Sequence, residues 1–335
     1  MIGWLRLVLA YLVVASHFGG QFDPGAVGTF AVQGFFVASG FLMTAVLNGP
    51  YAGRPGAFWA NRFFKLFPAY WLVCIATAAL ILCAPIAAEQ FRHFWVLDAD
   101  PLSIFANLTM VPFAFDIDGK YFHWFLITQA WSVAAEILNY AVVFFVTSRS
   151  YKAALFVLAV GVAYHVSCFV IDGAYWRPRY SLWYAGLVPF SVGALAWFMT
   201  RTRSLPVSWG LAAIVGWTAN FVVANWVVHD LTIRDGWMWY ANILLIAAIV
   251  ASFAPRRGHH IANKIDAFVG DLAYPIFLAH LTVRFAVELW LGAAITFQLV
   301  MQTCVAVFLC AFVMSRLSAA IVEPLRDAIR VRSVR

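Results

Sequence analysis

The sequence predicts an all-α polytopic membrane bundle of about ten transmembrane helices with both termini cytoplasmic. Three observations carry this. Hydrophobic residues make up 64% of the 335 and charged residues only 11%, with a mean hydropathy of +0.84, whereas about a quarter of a soluble domain is charged. Apolar runs of spanning length, about 20 residues, recur along the whole chain. Lys and Arg collect in alternate connections between those runs. The formal charge of +7 is therefore topological, and no basic stripe points to nucleic acid.

The runs fall at 3-20, 27-47, 67-87, 124-147, 153-171, 182-200, 207-228, 237-254, 268-291 and 296-318. The first continues past signal-peptide length with no A-x-A site after it, so it reads as a retained span. Ser103 to Phe115 is too short to cross and ends in Pro112 and the Asp116-Ile117-Asp118-Gly119 turn signal, so it reads as interfacial or re-entrant. Arg6, Arg54, Arg62, Lys65, Arg149, Lys152, Arg201, Arg203, Arg256, Arg257, Lys264, Arg316 and the tail from Arg326 to Arg335 fall on one side. Arg92, Lys120, Arg177, Arg179 and Arg234 fall on the other, which orients an even number of spans. No soluble domain or internal repeat interrupts the pattern, so residues 1-335 form one membrane domain. The five cysteines show no metal-ligand spacing, and no metal is expected.

Ionisable groups at bilayer depth are functional candidates. Arg6 and His17 are eleven residues apart, three turns plus roughly 20°, so they share a helix face about 16 Å apart. On the second span, Gly34, Ala38 and Gly40 allow a close helix crossing beside the Ser39 hydroxyl. Arg62 and Lys65, three apart at the start of the third span, form either a phosphate clamp or a lipid-facing anchor. Pro68 suits the first turn of that helix, followed by Tyr70.

The fourth span carries Trp131 and then a polar stripe of Ser132, Glu136, Asn139 and Tyr140. Its carboxylate needs a proton or a partner on another helix. Glu136 and His17 are expected at depths within two helical turns, close enough to meet directly or through water. On the ninth span His280, Arg284 and Glu288 are spaced by four, which reads as a self-satisfied ladder. His165 reads as a packed histidine.

Taken together, these residues resemble the acyltransferase-3 family, which O-acylates carbohydrates of bacterial envelopes and some smaller glycosides. The resemblance is carried by Arg6 with His17, by Phe35-Phe36-Val37-Ala38-Ser39-Gly40-Phe41-Leu42, by Arg62-x-x-Lys65 with Pro68 and Tyr70, by Trp131-Ser132 with Glu136, by Tyr274-Pro275 with His280, and by Glu323-Pro324. It implies an O-acetyltransferase of the bacterial inner membrane that uses acetyl-CoA, or another acyl-CoA, as co-substrate and a carbohydrate as acceptor. It further implies that His17 is the catalytic group, supported by Arg6, and that the basic pair engages the donor. Relatives usually carry Arg where Lys65 stands, so a bidentate contact is lost there. The esterase-like domain fused to some relatives is not expected here.

On this reading Glu136 orients His17 as general base, a transient acyl-imidazole being the competing role. Ser39 and Tyr70 join Arg62, Lys65 and Arg6 around the donor, and Trp131, Ser132 and His280 contact the acceptor. The alternative from another class is a proton-coupled secondary transporter with His17, Glu136 and His280 as a relay. No paired broken helices in two matching halves favour it. The small-residue faces also permit a homo-oligomer.

Overall fold

The computed structural model describes residues 1-19, 25-116, 120-173, 175-203, 205-254, 260-292 and 295-332. Of the turn expected at Asp116 to Gly119, only Asp116 is among them. Arg256 and Arg257 also lie outside the described residues. No strand occurs among the described residues.

Twelve α-helices follow in order: α1 Ile2–Ser16, α2 Val27–Leu47, α3 Pro55–Cys83, α4 Pro85–Phe91, α5 Pro101–Thr109, α6 Ala130–Phe145, α7 Tyr151–Asp172, α8 Leu187–Thr202, α9 Val207–Trp226, α10 Trp239–Ser252, α11 His260–Leu291 and α12 Phe297–Arg332. Eight helical segments are long and apolar enough to cross a membrane, and α1 and α6 are shorter apolar helices. Each of the ten expected spans has its helix.

Three boundaries differ from expectation. α3 begins at Pro55, so Pro68 lies inside it and not in its first turn. Pro275 and Pro324 likewise sit inside α11 and α12. Such prolines are tolerated in spanning helices because neighbours satisfy the carbonyl that loses its donor. α6 begins only at Ala130, after an irregular stretch from 120.

Contacts along the helices give the threading. Gly3 N donates to Asp266 Oδ2 at 3.1 Å, and fourteen residues further along both helices His17 meets His280. α1 and α11 therefore run parallel. α3 runs parallel to α11 too, since Lys65 meets Asp271 and Thr77 meets Thr282. Parallel packing of the first, third and ninth spans is what a chain crossing ten times requires. The N-terminal amine pairs with Asp266 at 2.5 Å, and Arg326 reaches Asn61 at the start of α3, so both chain ends lie at one end of the bundle.

α5 is capped by Asp100, whose carboxylate accepts from the amides of Leu102 and Ser103, with Pro101 opening the helix. The Ser103 hydroxyl and amide, with help from the Leu102 amide, hold the Asp100 carboxyl below its ordinary value. The far end of α5 reaches into the bundle: Tyr70 and Trp71, midway along α3, donate to the carbonyls of Asn107 and Leu108. This is the re-entrant reading of that segment. The chain reverses at Met110, buried at φ 64°, into a 3₁₀ turn at Val111–Phe115 that packs on α6. A positive φ in a non-glycine residue costs of order 1–3 kcal/mol and persists only where packing over-determines it.

Close approach of α2 and α8 explains Gly40, whereas Gly34 makes room for Ile246 of α10 and Leu9 of α1. A Cβ on Gly40 would run into the Phe190 backbone, and one on Gly193 into the Val37 carbonyl. We expect Gly40→Ala and Gly193→Ala each to cost about 1–3 kcal/mol through overpacking. Gly56→Ala, with open space around it, should leave thermal unfolding in detergent unchanged. Equal melting curves for all three variants would contradict this packing.

Candidate functional site

His17 closes the C-terminal end of α1, where the last carbonyls lack intrahelical donors. Three groups meet this need. The Ser16 hydroxyl donates to Val13 O at 2.8 Å, Arg284 donates to the His17 carbonyl, and His17 Nδ1 lies 2.8 Å from Val13 O. Arg284 is itself held by Glu288 at 2.6 Å and lies over the rings of Phe18 and Phe91. The expected intrahelical ladder is thus half right: Arg284 and Glu288 pair, but Arg284 also pins α1, and His280 faces out of the ladder.

His280 is buried beside His17, with ring centroids 4.7 Å apart. Its Nδ1 lies 2.6 Å from the Phe277 carbonyl and its Nε2 3.3 Å from His17 Nδ1. A carbonyl only accepts, so each Nδ1 carries the hydrogen and each neutral ring keeps its lone pair on Nε2. His280 Nε2 then accepts from His17 Nδ1–H, which it shares with Val13 O. This arrangement leaves His17 Nε2 without a protein partner among the described residues and directs its lone pair away from both anchors. Such a ring is oriented in the manner of a general base.

Glu136 does not provide that orientation. Its carboxylate accepts from the Ser39 and Tyr140 hydroxyls, and the expected contact with His17 is replaced by His280. The reason is lateral: matched depth does not determine which way two helices face. Glu136 instead lines a small internal cavity of about 30 Å³ with Arg6, Ser132 and Tyr274. Phe277 forms the wall between the two clusters. It lines this cavity beside Phe35, while its ring lies 6.1 Å from that of His280.

The basic pair sits at the end of the bundle that holds both termini. Arg62 donates to Asn61 Oδ1 at 2.6 Å and to Met43 Sδ at 3.5 Å, while its buried Nε has no partner. Lys65 pairs with Asp271 at 2.9 Å. Arg6 lies within electrostatic reach of both Lys65 and Asp271. Tyr70, expected at the donor, is instead fully buried and spends its hydroxyl on Asn107 O, so it ties the re-entrant segment to α3. The three expected acceptor contacts separate as well. Trp131 lines a cleft at the opposite end, Ser132 lines the internal cavity, and His280 pairs with His17. His165 is packed as expected, between the Tyr240 hydroxyl and Ala185 O.

Two contributors escaped the sequence reading. Gln129 donates to the carbonyls of Phe277 and Leu278, at 3.3 and 2.7 Å, and so holds α11 one turn before His280. Arg92 lies within electrostatic reach of His17 and Arg284. Burial and the nearby Arg284 lower its pKa, and its buried Nε is unpartnered. Its placement in a long loop left no periodic signal to mark it.

The fold and site thus define a multi-pass membrane protein with an oriented imidazole pair at depth and a basic mouth at one end. A family profile described as an acyltransferase domain matches residues 2–321, and the chain belongs to the acyltransferase-3 family. It is a membrane acyltransferase, and the carrier reading gives way. No curated protein and no solved structure gives a match.

The geometry separates the roles of Glu136 and His280 experimentally. In ¹⁵N-histidine spectra, His280→Ala should shift the His17 Nδ1 resonance, whose hydrogen it shares with Val13 O, whereas Glu136→Gln should leave it in place. Glu136→Gln should instead lower stability by about 1–3 kcal/mol, because both hydroxyls donate to the same Oε1, whose charge the amide removes. A His17 signature that follows Glu136 and ignores His280 would overturn the assignment.

Proposed function

We propose that the protein moves an acyl group, acetyl in the simplest case, from acyl-CoA to a hydroxyl of an envelope or exported carbohydrate in the bacterial inner membrane. The observation that carries this reading is His17 Nε2, left free on a ring whose other nitrogen is anchored. The bias of Lys and Arg sets the basic end on the cytoplasmic side, where acyl-CoA is made.

Phosphates of the donor engage Arg62, Lys65 and Arg6. Arg62, with an uncommitted Nε, contributes more than Lys65, whose charge is already paired with Asp271. The acyl arm follows the α1 face past the internal cavity, and Phe277 is the ring it must pass to reach His17. His17 Nε2 takes the acceptor hydroxyl proton as the oxygen attacks the thioester carbonyl. The C–S bond then breaks, the ester forms, and the imidazolium returns its proton to the departing thiolate. His280 stabilises the imidazolium by accepting from His17 Nδ1–H. Arg92, within electrostatic reach of His17, would stabilise the charge that the carbonyl oxygen gains.

The test uses purified protein in nanodiscs with labelled acetyl-CoA and an envelope glycan fraction as acceptor. His17→Ala should reduce label transfer about 10²–10⁴-fold, the span expected for loss of a general base, with the protein still inserted. Arg62→Ala should raise the donor KM more than Lys65→Ala does. Substantial transfer by His17→Ala, or a donor KM unmoved by Arg62→Ala, would sink the mechanism.

A further inference from the structure

At the end of the bundle opposite the termini, a cleft of about 390 Å³ opens between the re-entrant segment, the start of α6 and the 176–181 connection. One wall is a run of aromatic rings, Trp131, Tyr180 and Trp176, with successive centroids 4.8 and 5.2 Å apart. Phe94, Phe125 and Phe113 also line the cleft, each step 5.0 Å. Asp116 lines it too, 7% exposed. Its Oδ1 accepts from the amides of Lys120 and Tyr121, while Oδ2 is buried with no hydrogen-bond partner among the described residues. Burial pushes this carboxyl above its ordinary value, against the pull of the Lys120, Tyr121 and Phe122 amides. A buried carboxylate oxygen without a donor is costly unless a ligand supplies one.

Two cleft residues neighbour groups that act on the imidazole pair. His93 follows Arg92, which lies within electrostatic reach of His17, and Thr128 precedes Gln129, which holds α11 one turn before His280. From these observations we infer that the cleft is the acceptor-recognition site. It takes one pyranose ring, whose C–H face lies against the Trp131–Tyr180–Trp176 wall and one of whose hydroxyls donates to Asp116 Oδ2, with the Arg177 guanidinium lining the same cleft. Aromatic walls supply broad apolar contact with little entropy to lose, and the single carboxylate fixes the ring's rotation. Asp116 is thus a specificity-determining residue that selects which hydroxyl faces His17. This inference rests on the acyl-transfer reading of the same molecule.

The test is saturation-transfer NMR on the full chain in nanodiscs with methyl glucopyranoside, methyl galactopyranoside and methyl rhamnopyranoside as probes. Ring C–H protons of at least one glycoside should receive saturation from the wild type and from His17→Ala. Asp116→Asn and Trp176→Ala should bind about tenfold or more weakly, with acetyl-CoA affinity as the check that both variants fold. No saturation of any glycoside by the wild type, or unchanged binding in both variants, would overturn the assignment. So would displacement of a bound glycoside from this cleft by AMP, which would mark a nucleotide site. Acetyl-CoA turnover without glycoside binding would sink the cleft alone. Cleft-dependent glycoside binding with no acyl transfer would sink the transfer reading alone.

Discussion

Lipid offers no water to a stray polar group, and the end of α1 has to terminate a helix and seat an imidazole under that condition. One set of contacts meets both demands. Arg284 caps the His17 carbonyl, and Val13 O and His280 share the His17 Nδ1 hydrogen. The parallel register of α1 and α11 follows, because Gly3 must meet Asp266 at the other end of the same pair. Without that register His280 would not reach His17 Nδ1.

The same constraint accounts for the polar side chains distributed through the bundle. Glu136 is satisfied by two hydroxyls, Asn139 by the carbonyls of Ala135 and Trp183, and Asn242 by Phe30 O. These are structural ties within and between helices. Other buried polar atoms, Arg62 Nε, Arg92 Nε, Asn139 Oδ1 and Asp116 Oδ2 among them, have no hydrogen-bond partner among the described residues. Of these, the Arg62 guanidinium and the Asp116 carboxylate lie at opposite ends of the bundle.

The spans were legible because the need for continuous apolar length leaves a signal that survives without knowledge of packing. The common face of Arg6 and His17 was legible for a similar reason, since helical periodicity determines it locally. The partner of His17 was not. His280 and Glu136 were both at plausible depth on neighbouring helices, and choosing between them needs the lateral order of helices, which no periodicity encodes. Tyr70 was misassigned because the re-entrant segment brings Asn107 O to it from an outer loop, a long-range contact without a sequence trace. Arg92 was passed over, and Asp116 was read only as part of a turn, because charged residues in a connecting loop are ordinarily solvated, and only the infolding of that loop buries them.

Phe277 gives the separation of the clusters a chemical meaning. Its carbonyl orients His280, its ring walls off the cavity that holds Glu136, and Gln129 fixes its backbone from the side of the cleft. An acyl thioester transferred to a sugar must be kept from water, which competes for the same activated carbonyl. The Phe277 ring closes the cavity on the side of His280. The backbone of this ring also orients His280, so one residue joins the wall of the cavity to the imidazole pair.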